Sequence, residues 1–366
     1  MTLWLYLLRG FLRAVLAVFA VIAVLVLLFG FVENLRRFGE VPSVAGHDLL
    51  TLTLLQAPET LYRVFPLVLM LASLLCFLGL ARTSELVVMR AAGISALRLI
   101  TVPAVASILF GIAFVMAVNP FVAASIRRGQ AVEQDFNHTS PSLLSFSKDG
   151  VWLRQADEGG GQTVIQAARA NAEGTILLEV RLHRFDPEGR IFARIESPSA
   201  RLITGAWELP GAVAWELQPD QSFAKVSDRQ TLRLATTLTG AQIQESFSPP
   251  EVISIWALPG FISQMEAAGF SAVRHRLFLQ GEIARPVLFT AMVLIGAAFA
   301  LRPARSGQTG VMMLLSVLCG FLLYFLTDFS ATLGAQGQLP LPVAVWTPPI
   351  AAILLVTSLL LHLEDG

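Results

Sequence analysis

Six long apolar runs punctuate the chain, and between the third and fourth the texture changes to short segments that alternate apolar and polar residues. A helix needs roughly 20 mainly apolar residues to cross the hydrocarbon core of a bilayer. Runs at 11–32, 64–81, 99–124, 286–301, 311–329 and 343–361 therefore predict six spans. Residues 47–62 are moderately apolar and predict a helix that lies at the interface or extends span 2. From about 130 to 250 no long apolar run occurs. Alternation at 151–155, 163–168, 176–185, 190–203, 206–217 and 231–238 predicts half-buried strands instead. Asp186-Pro187-Glu188-Gly189 reads as a turn, because Pro fixes φ and Gly accepts the left-handed position, and Pro210-Gly211 reads as another. Many short strands with regular turns predict a sandwich or jelly roll. The expected layout is three spans in 1–129, an inserted all-β domain in 130–250, and three spans in 251–366.

One short charged stretch interrupts the apolar texture between spans 2 and 3: Arg82-Thr-Ser-Glu-Leu-Val-Val-Met-Arg-Ala-Ala-Gly-Ile-Ser95. Thr83 or Ser84 can cap a helix N-terminus, and Glu85 would sit in the first turn, where the helix dipole favours a carboxylate. Leu86, Met89 and Gly93 recur at helical spacing. A helix so placed offers a handle to a partner on that side of the membrane.

Composition agrees with a membrane protein. The 366 residues are 55% hydrophobic and 14% charged, against about 25% charged in a typical soluble domain. Net charge is zero, so no global field draws nucleic acid. Cys76 and Cys319 both fall inside apolar runs, which argues against a structural disulfide or metal pair. The first apolar run is too long for a signal-peptide h-region and lacks a small-residue cleavage site, so no cleavable signal is expected.

Six spans put the termini, the 82–98 loop and the 302–310 loop on one side, A. The β-domain, the 33–63 segment and the 331–342 loop then lie on side B. Arginines do not decide orientation by number: side A carries Arg9, Arg13, Arg82, Arg90, Arg98, Arg302 and Arg305, and side B a similar set near the membrane. On side B they cluster at span ends. Arg36 and Arg37 follow span 1, Arg127 and Arg128 follow span 3, and Arg274 and Arg276 lead to Arg285 at span 4. Two readings stand: arginines that anchor helix ends to headgroups, or a basic rim whose guanidinium forks bind a phosphorylated ligand. Glu282 and Arg285 lie one helical turn apart and can pair. Asp328, near the end of span 5, is either an intramembrane functional acid or an interfacial one.

No enzyme signature is present. The chain has no GxxxxGK[ST] phosphate loop and no GxSxG elbow. His47, His138, His183, His275 and His362 are dispersed, without metal-like spacing. Trp152, Trp207 and Trp215 read as β-domain core rather than a binding platform.

The 83–95 segment resembles the signature of the lipopolysaccharide export permeases, the LptF/LptG family, and its Ser-Glu-Leu-Val-Val-Met wording is closer to the LptG branch than to LptF. The likeness extends over nearly the whole chain: span order, the mid-chain β-domain, the Phe-Val-Glu-Asn-Leu-Arg-Arg end of span 1 and the Asp328 region. It implies an α-helical polytopic membrane protein with six transmembrane helices and an inserted periplasmic jelly roll. Such a subunit pairs with LptF around a V-shaped cavity open to the periplasm. Two copies of the ATPase LptB bind below and LptC alongside. ATP and Mg belong to LptB, and this chain would bind no cofactor and catalyse no reaction. Cycling extracts lipopolysaccharide from the inner membrane of a Gram-negative bacterium and passes it to a periplasmic bridge. By this resemblance side A is cytosolic, with both termini, and side B periplasmic.

Residue by residue, Glu85 matches the acid of the coupling helix that docks into LptB, with Ser84, Leu86, Met89, Arg90 and Gly93 around it. Arg36, Arg37 and Arg127 match basic residues that contact the phosphorylated sugar head, and Arg128, Arg274 and Arg276 extend that rim. The family has further basic residues where this chain has Gly30 and Gln130, the second of which Arg128 can replace. Phe29, Phe31, Phe321, Phe325 and Phe329 are expected to touch acyl chains or, alternatively, to pack between helices. Rival readings are LptF itself, a membrane-anchored scaffold whose β-domain binds a periplasmic protein, and a membrane enzyme using Asp328.

Overall fold

Each apolar run becomes a helix longer than the run itself. The computed structural model describes residues 2–39, 45–136, 151–156, 162–170, 175–218, 223–236, 249–267, 272–301 and 309–365. Six helices are long and apolar enough to cross a membrane. They are α1 (Thr2–Phe38), α2 (Gly46–Arg82), α4 (Ala96–Phe136), α6 (Val273–Ala300), α7 (Thr309–Ala335) and α8 (Leu341–Asp365). Between them lie α3 (Glu85–Ala91) and α5 (Leu258–Ala267). The 47–62 segment extends span 2: α2 runs unbroken through Pro58 and Pro66, and Asp48 accepts the Ala45 N–H at 3.0 Å at its start. Span 4 was expected from residue 286, yet α6 begins at Val273. Within this earlier stretch Arg285 Nε bonds Glu282 Oε2 at 3.2 Å, one turn away.

Contacts divide the chain into a helical unit (1–137, 250–259, 273–366) and a β unit (138–249, 260–272). In the helical unit, α6 packs where small residues let backbones approach. A Cβ on Gly296 would lie 2.4 Å from the Met70 carbonyl oxygen of α2, and one on Gly111 of α4 would lie 2.7 Å from Pro286 Cα. Ser73 Oγ donates to the Val293 carbonyl at 2.8 Å, and Ser107 and Thr290 share a hydroxyl bond at 3.1 Å. Around this seam Tyr62, Phe65, Phe114 and Phe289 form one aromatic stack, with Phe65 and Phe114 centroids 4.4 Å apart. After a short 3-10 turn (Pro250–Val252), the chain is pinned to α4: Asn119 Oδ1 accepts the Ile255 N–H at 2.9 Å, and Trp256 Nε1 donates to the Met116 carbonyl at 3.2 Å.

The described residues of the β unit form six strands: β1 (Val151–Ala156), β2 (Gln162–Ala170), β3 (Ile176–Phe185), β4 (Ile191–Ile203), β5 (Ala206–Leu217) and β6 (Phe223–Ala235). They form one antiparallel sheet in the order β1-β2-β3-β4-β5-β6. The expected all-β domain is present. Among the described residues each strand pairs with its sequence neighbour, without the second sheet of a sandwich. Alternate positions build one core of Ile165, Ala167, Val180, Leu182, Trp207 and Leu209, as the period of two requires. Trp207 is fully buried and Trp215 half-buried, while the side chain of Trp152 lies outside the described residues, as do His138 and residues 237–238.

The Asp186–Gly189 turn forms as read. Gly189 takes φ 80°, and Asp186 accepts the Arg190 backbone N–H at 2.8 Å. That backbone bond, and then the Arg190 side chain, hold the Asp186 carboxyl below its usual range. On β3, partial burial and then the Arg194 and Arg181 charges push His183 down. Pro210-Gly211 is corrected: it is a bulge within β5, where the register with β6 shifts between Leu209 and Ala212 and Gly211 takes φ 64°. The β4–β5 turn lies instead at Gly205, with φ 76°. β6 begins eight residues before its expected start because Lys225, Asp228 and Arg229 hide the alternation; Lys225 and Asp228 pair at 2.9 Å, and Arg229 has φ 47°.

Candidate functional site

The helical unit encloses a cavity of about 610 Å³ toward the ends of α2, α4, α6, α7 and α8 that correspond to side B. Its wall combines apolar residues such as Val122, Ile126 and Leu288 with charge of both signs: Arg63, Arg274 and Arg285 beside Glu59, Glu251, Glu282 and Asp328. The polar wall is built around Glu282, which is 1% exposed. Its carboxylate accepts hydrogen bonds from the Tyr62 hydroxyl and from Arg285. The Arg285 guanidinium stacks 4.3 Å above the Tyr62 ring. Asn119 lines the same wall and is 3% exposed. A buried carboxylate is stable in such a place only when paired and hydrogen-bonded, and this one is both. Arg63 pairs with Glu59 at 2.9 Å. Arg274 makes no hydrogen bond or ion pair among the described residues, so its guanidinium is available to the cavity. Asp328 is exposed on the same wall, within the span Gly310–Ala335.

The expected basic rim is only partly one surface. Arg36 is exposed and bonds Glu33 on its own helix at 3.0 Å. Arg37 lies 3.5 Å from Glu133 of α4, which joins the ends of spans 1 and 3. Arg127 donates to the Val252 carbonyl at 2.9 Å. Arg128 and Arg276 are exposed. Of these six, Arg274 opens on the cavity. Among the aromatic candidates, Phe29, Phe321, Phe325 and Phe329 are each more than half exposed, on the outer faces of α1 and α7. Phe31 differs: it packs against Phe38, Leu49 and Leu52, which is the helix-packing alternative.

At the opposite end, the 82–95 insert contains the seven-residue α3. Ser84 occupies its N-cap, but with φ 61° and no side-chain cap bond, which corrects the expected hydroxyl cap. Glu85 itself secures the start. Tyr6 Oη of α1 donates to Oε2 at 2.8 Å, and Thr83 Oγ1 lies 3.0 Å from Oε1. Leu86 is buried in a cluster with Leu7, Phe77, Leu99 and Leu301, and Met89 and Ile94 pack against it. The helix stops at a Schellman-type bond pair, Ile94 N–H to Met89 O and Gly93 N–H to Arg90 O, with Gly93 at φ 80°. Arg90 Nη2 reaches the Leu301 carbonyl at the end of α6 at 3.4 Å. Val87 and Val88 are left 65% and 68% exposed. Arg302 and Arg305 lie outside the described residues.

Several participants carried no sequence signal. Tyr62, Asn119 and Tyr324 join the cavity from positions far from their partners, and Tyr6 meets Glu85 across 79 residues. Asn34 is 1% exposed and donates to Thr53 Oγ1 and Gln56 Oε1, both at 3.0 Å. Asn34 lies just past the first apolar run, between Glu33 and Arg36, where no local pattern marked it.

Residues 5–362 match the family model described as lipopolysaccharide export system permease LptF/LptG. The chain is similar to the lipopolysaccharide export system permease protein LptG of Escherichia coli K12, 24% identical over 350 residues that cover 90% of this chain and 87% of the relative. It is 23% identical over 374 residues to the protein of the same name from Haemophilus influenzae, covering 98% of each.

Proposed function

The chain belongs to the lipopolysaccharide export system permease LptF/LptG family, and on that premise we propose that it is the LptG-type subunit of the exporter. It forms a heterodimer with an LptF-type permease in the inner membrane, with its termini and α3 cytosolic and its β unit periplasmic. ATP hydrolysis is carried out by a separate LptB dimer, and LptC joins the assembly. The LptG names of the similar proteins support that branch.

The observation that carries this reading is the 610 Å³ cavity with mixed lining. A lipid with acyl chains and phosphates needs an apolar cleft edged by cations. Arg274 has no hydrogen bond or ion pair among the described residues there, while Tyr62, Glu282 and Arg285 bond one another in the wall. α1 and α7 bury only 11% and 17% of their spans within the chain, which leaves faces for lipid or the second permease. α3 sets Leu86 inward and Val87 and Val88 outward, as a docking helix requires.

The test is a purified complex with the LptF-type permease and LptB in lipid, assayed for ATP hydrolysis with and without lipopolysaccharide. The wild type is expected to be stimulated. Glu85→Arg should lower LptB recovery or abolish the stimulation, and Arg274→Ala should weaken lipopolysaccharide crosslinking several-fold. A wild-type complex that lipopolysaccharide does not stimulate sinks the reading.

A further inference from the structure

Glu85 faces inward as well as outward. Both of its oxygens are engaged within the chain, one by Thr83 in the turn just before α3 and the other by Tyr6 on a different span. α3 therefore grips two helices through its two charged residues: α1 through Glu85 and the end of α6 through Arg90. These two are unlike. α1 has the smallest buried share of the six spans and α6 the largest. A tie to α6 fixes α3 to a body that is locked on several sides. A tie to α1 fixes it to a helix held mainly along one side. A left-handed residue flanks α3 at either end, Ser84 at φ 61° and Gly93 at φ 80°. Sharp bends of this kind separate α3 from the axes of α2 and α4. Beside the contact lies a cavity of about 450 Å³ between α1 and α2, lined by Tyr6, Gly10, Arg13, Cys76, Thr83 and Glu85 among others. That groove runs along the near end of α1, whose Leu7 packs in the same cluster as Leu86 of α3.

We propose that Tyr6 is a positioning residue: its hydroxyl, bonded to Glu85, carries displacement of α3 into α1. This rests on the export reading above, in which a partner ATPase moves α3. Under that motion the Arg90 contact keeps α3 registered on α6, and the Tyr6 contact makes α1 the span that responds. The ring of Tyr6 is 44% exposed, so removing the hydroxyl leaves no hole in a core.

The experiment uses the full complex with the LptF-type permease, LptB and LptC in proteoliposomes, with lipopolysaccharide as probe and release per ATP hydrolysed as readout. Tyr6→Phe keeps the ring and deletes the donor. It is expected to leave complex recovery and basal ATP hydrolysis unchanged and to lower release per ATP about two- to ten-fold, the scale of one typical hydrogen bond. Thr83→Val deletes the other donor to the same carboxylate, together with its bonds to the Gly79 and Leu80 carbonyls at the end of α2, but none of these crosses to α1, and release per ATP is expected to stay at the wild-type value. Wild-type coupling in Tyr6→Phe overturns the link. So does an equal loss in Thr83→Val, because that is the result expected if both hydroxyls only orient Glu85. A wild-type complex that releases no lipopolysaccharide overturns the export reading and this link together.

Discussion

α1 and α6 reverse the rule of soluble proteins. α1 has the most apolar window of the six spans, yet 11% of it is buried within the chain; α6 has the least apolar window and 72% of it is buried. In water the most apolar helix would sit at the centre. In a bilayer the lipid is as apolar as leucine, so an apolar side chain gains little by turning inward. What draws helices together there is close backbone approach and polar pairing. α6 has both: Gly296 against α2, Gly111 of α4 against Pro286, and the Ser73, Ser107 and Tyr62 bonds. α1 presents Leu16, Val21, Val24, Leu28 and Phe29 outward and is tied to α2 near one end by Asn34. The difference separates a helix built to stay from one whose outer face is reserved for lipid or another subunit.

The sharpest way to break the comparison is at Glu282. Glu282→Ala leaves Arg285 without its carboxylate and Tyr62 without its acceptor, and should cost about 3 kcal/mol. A large fall in thermal midpoint of the detergent-purified protein would be seen by size-exclusion chromatography, with part of the loss recovered when Arg285→Met is added. A smaller effect is expected at the α2–α6 seam. Gly296→Val drives a side chain into the Met70 carbonyl and should cost about 2 kcal/mol, whereas Gly10→Ala on α1 meets Cys76 Sγ at an ordinary 3.7 Å and should be neutral. Equal sensitivity of the two glycines would erase the distinction between the helices. The smallest effect belongs to α1. Asn34→Leu removes two bonds from a buried site and should cost about 1 kcal/mol. It should also raise hydrogen exchange at the α1–α2 contact near residues 34 and 53 while leaving α6 protected.

Much of the molecule was legible from the chain alone. All six spans, the inserted strands, the Asp186–Gly189 turn and α3 follow from local pattern. Errors fell where pattern and geometry part. Pro210-Gly211 has turn chemistry, but β5 continues through it because a bulge accepts both residues. Ser84 has cap chemistry, but its left-handed backbone turns the hydroxyl away from that role. Span 4 was read from its apolar run alone, from 286, and α6 begins earlier, at Val273, ahead of Glu282 and Arg285. The arginines at the span ends left two readings open; Arg36 and Arg37 are paired with acids and Arg127 with a carbonyl, while Arg274 lines the cavity.

The sequence by itself determined which segments span, which form strands and which stretch turns between spans 2 and 3. Those depend on run length and periodicity, and the bilayer and the pleat read them locally. Only the tertiary structure decided which span lies innermost and which residues share the cavity. It also decided that Glu85 answers to Tyr6. Tyr62 and Glu282 are 220 residues apart in sequence, and helix association in an apolar medium turns on a few small residues and hydrogen bonds whose partners no local pattern names.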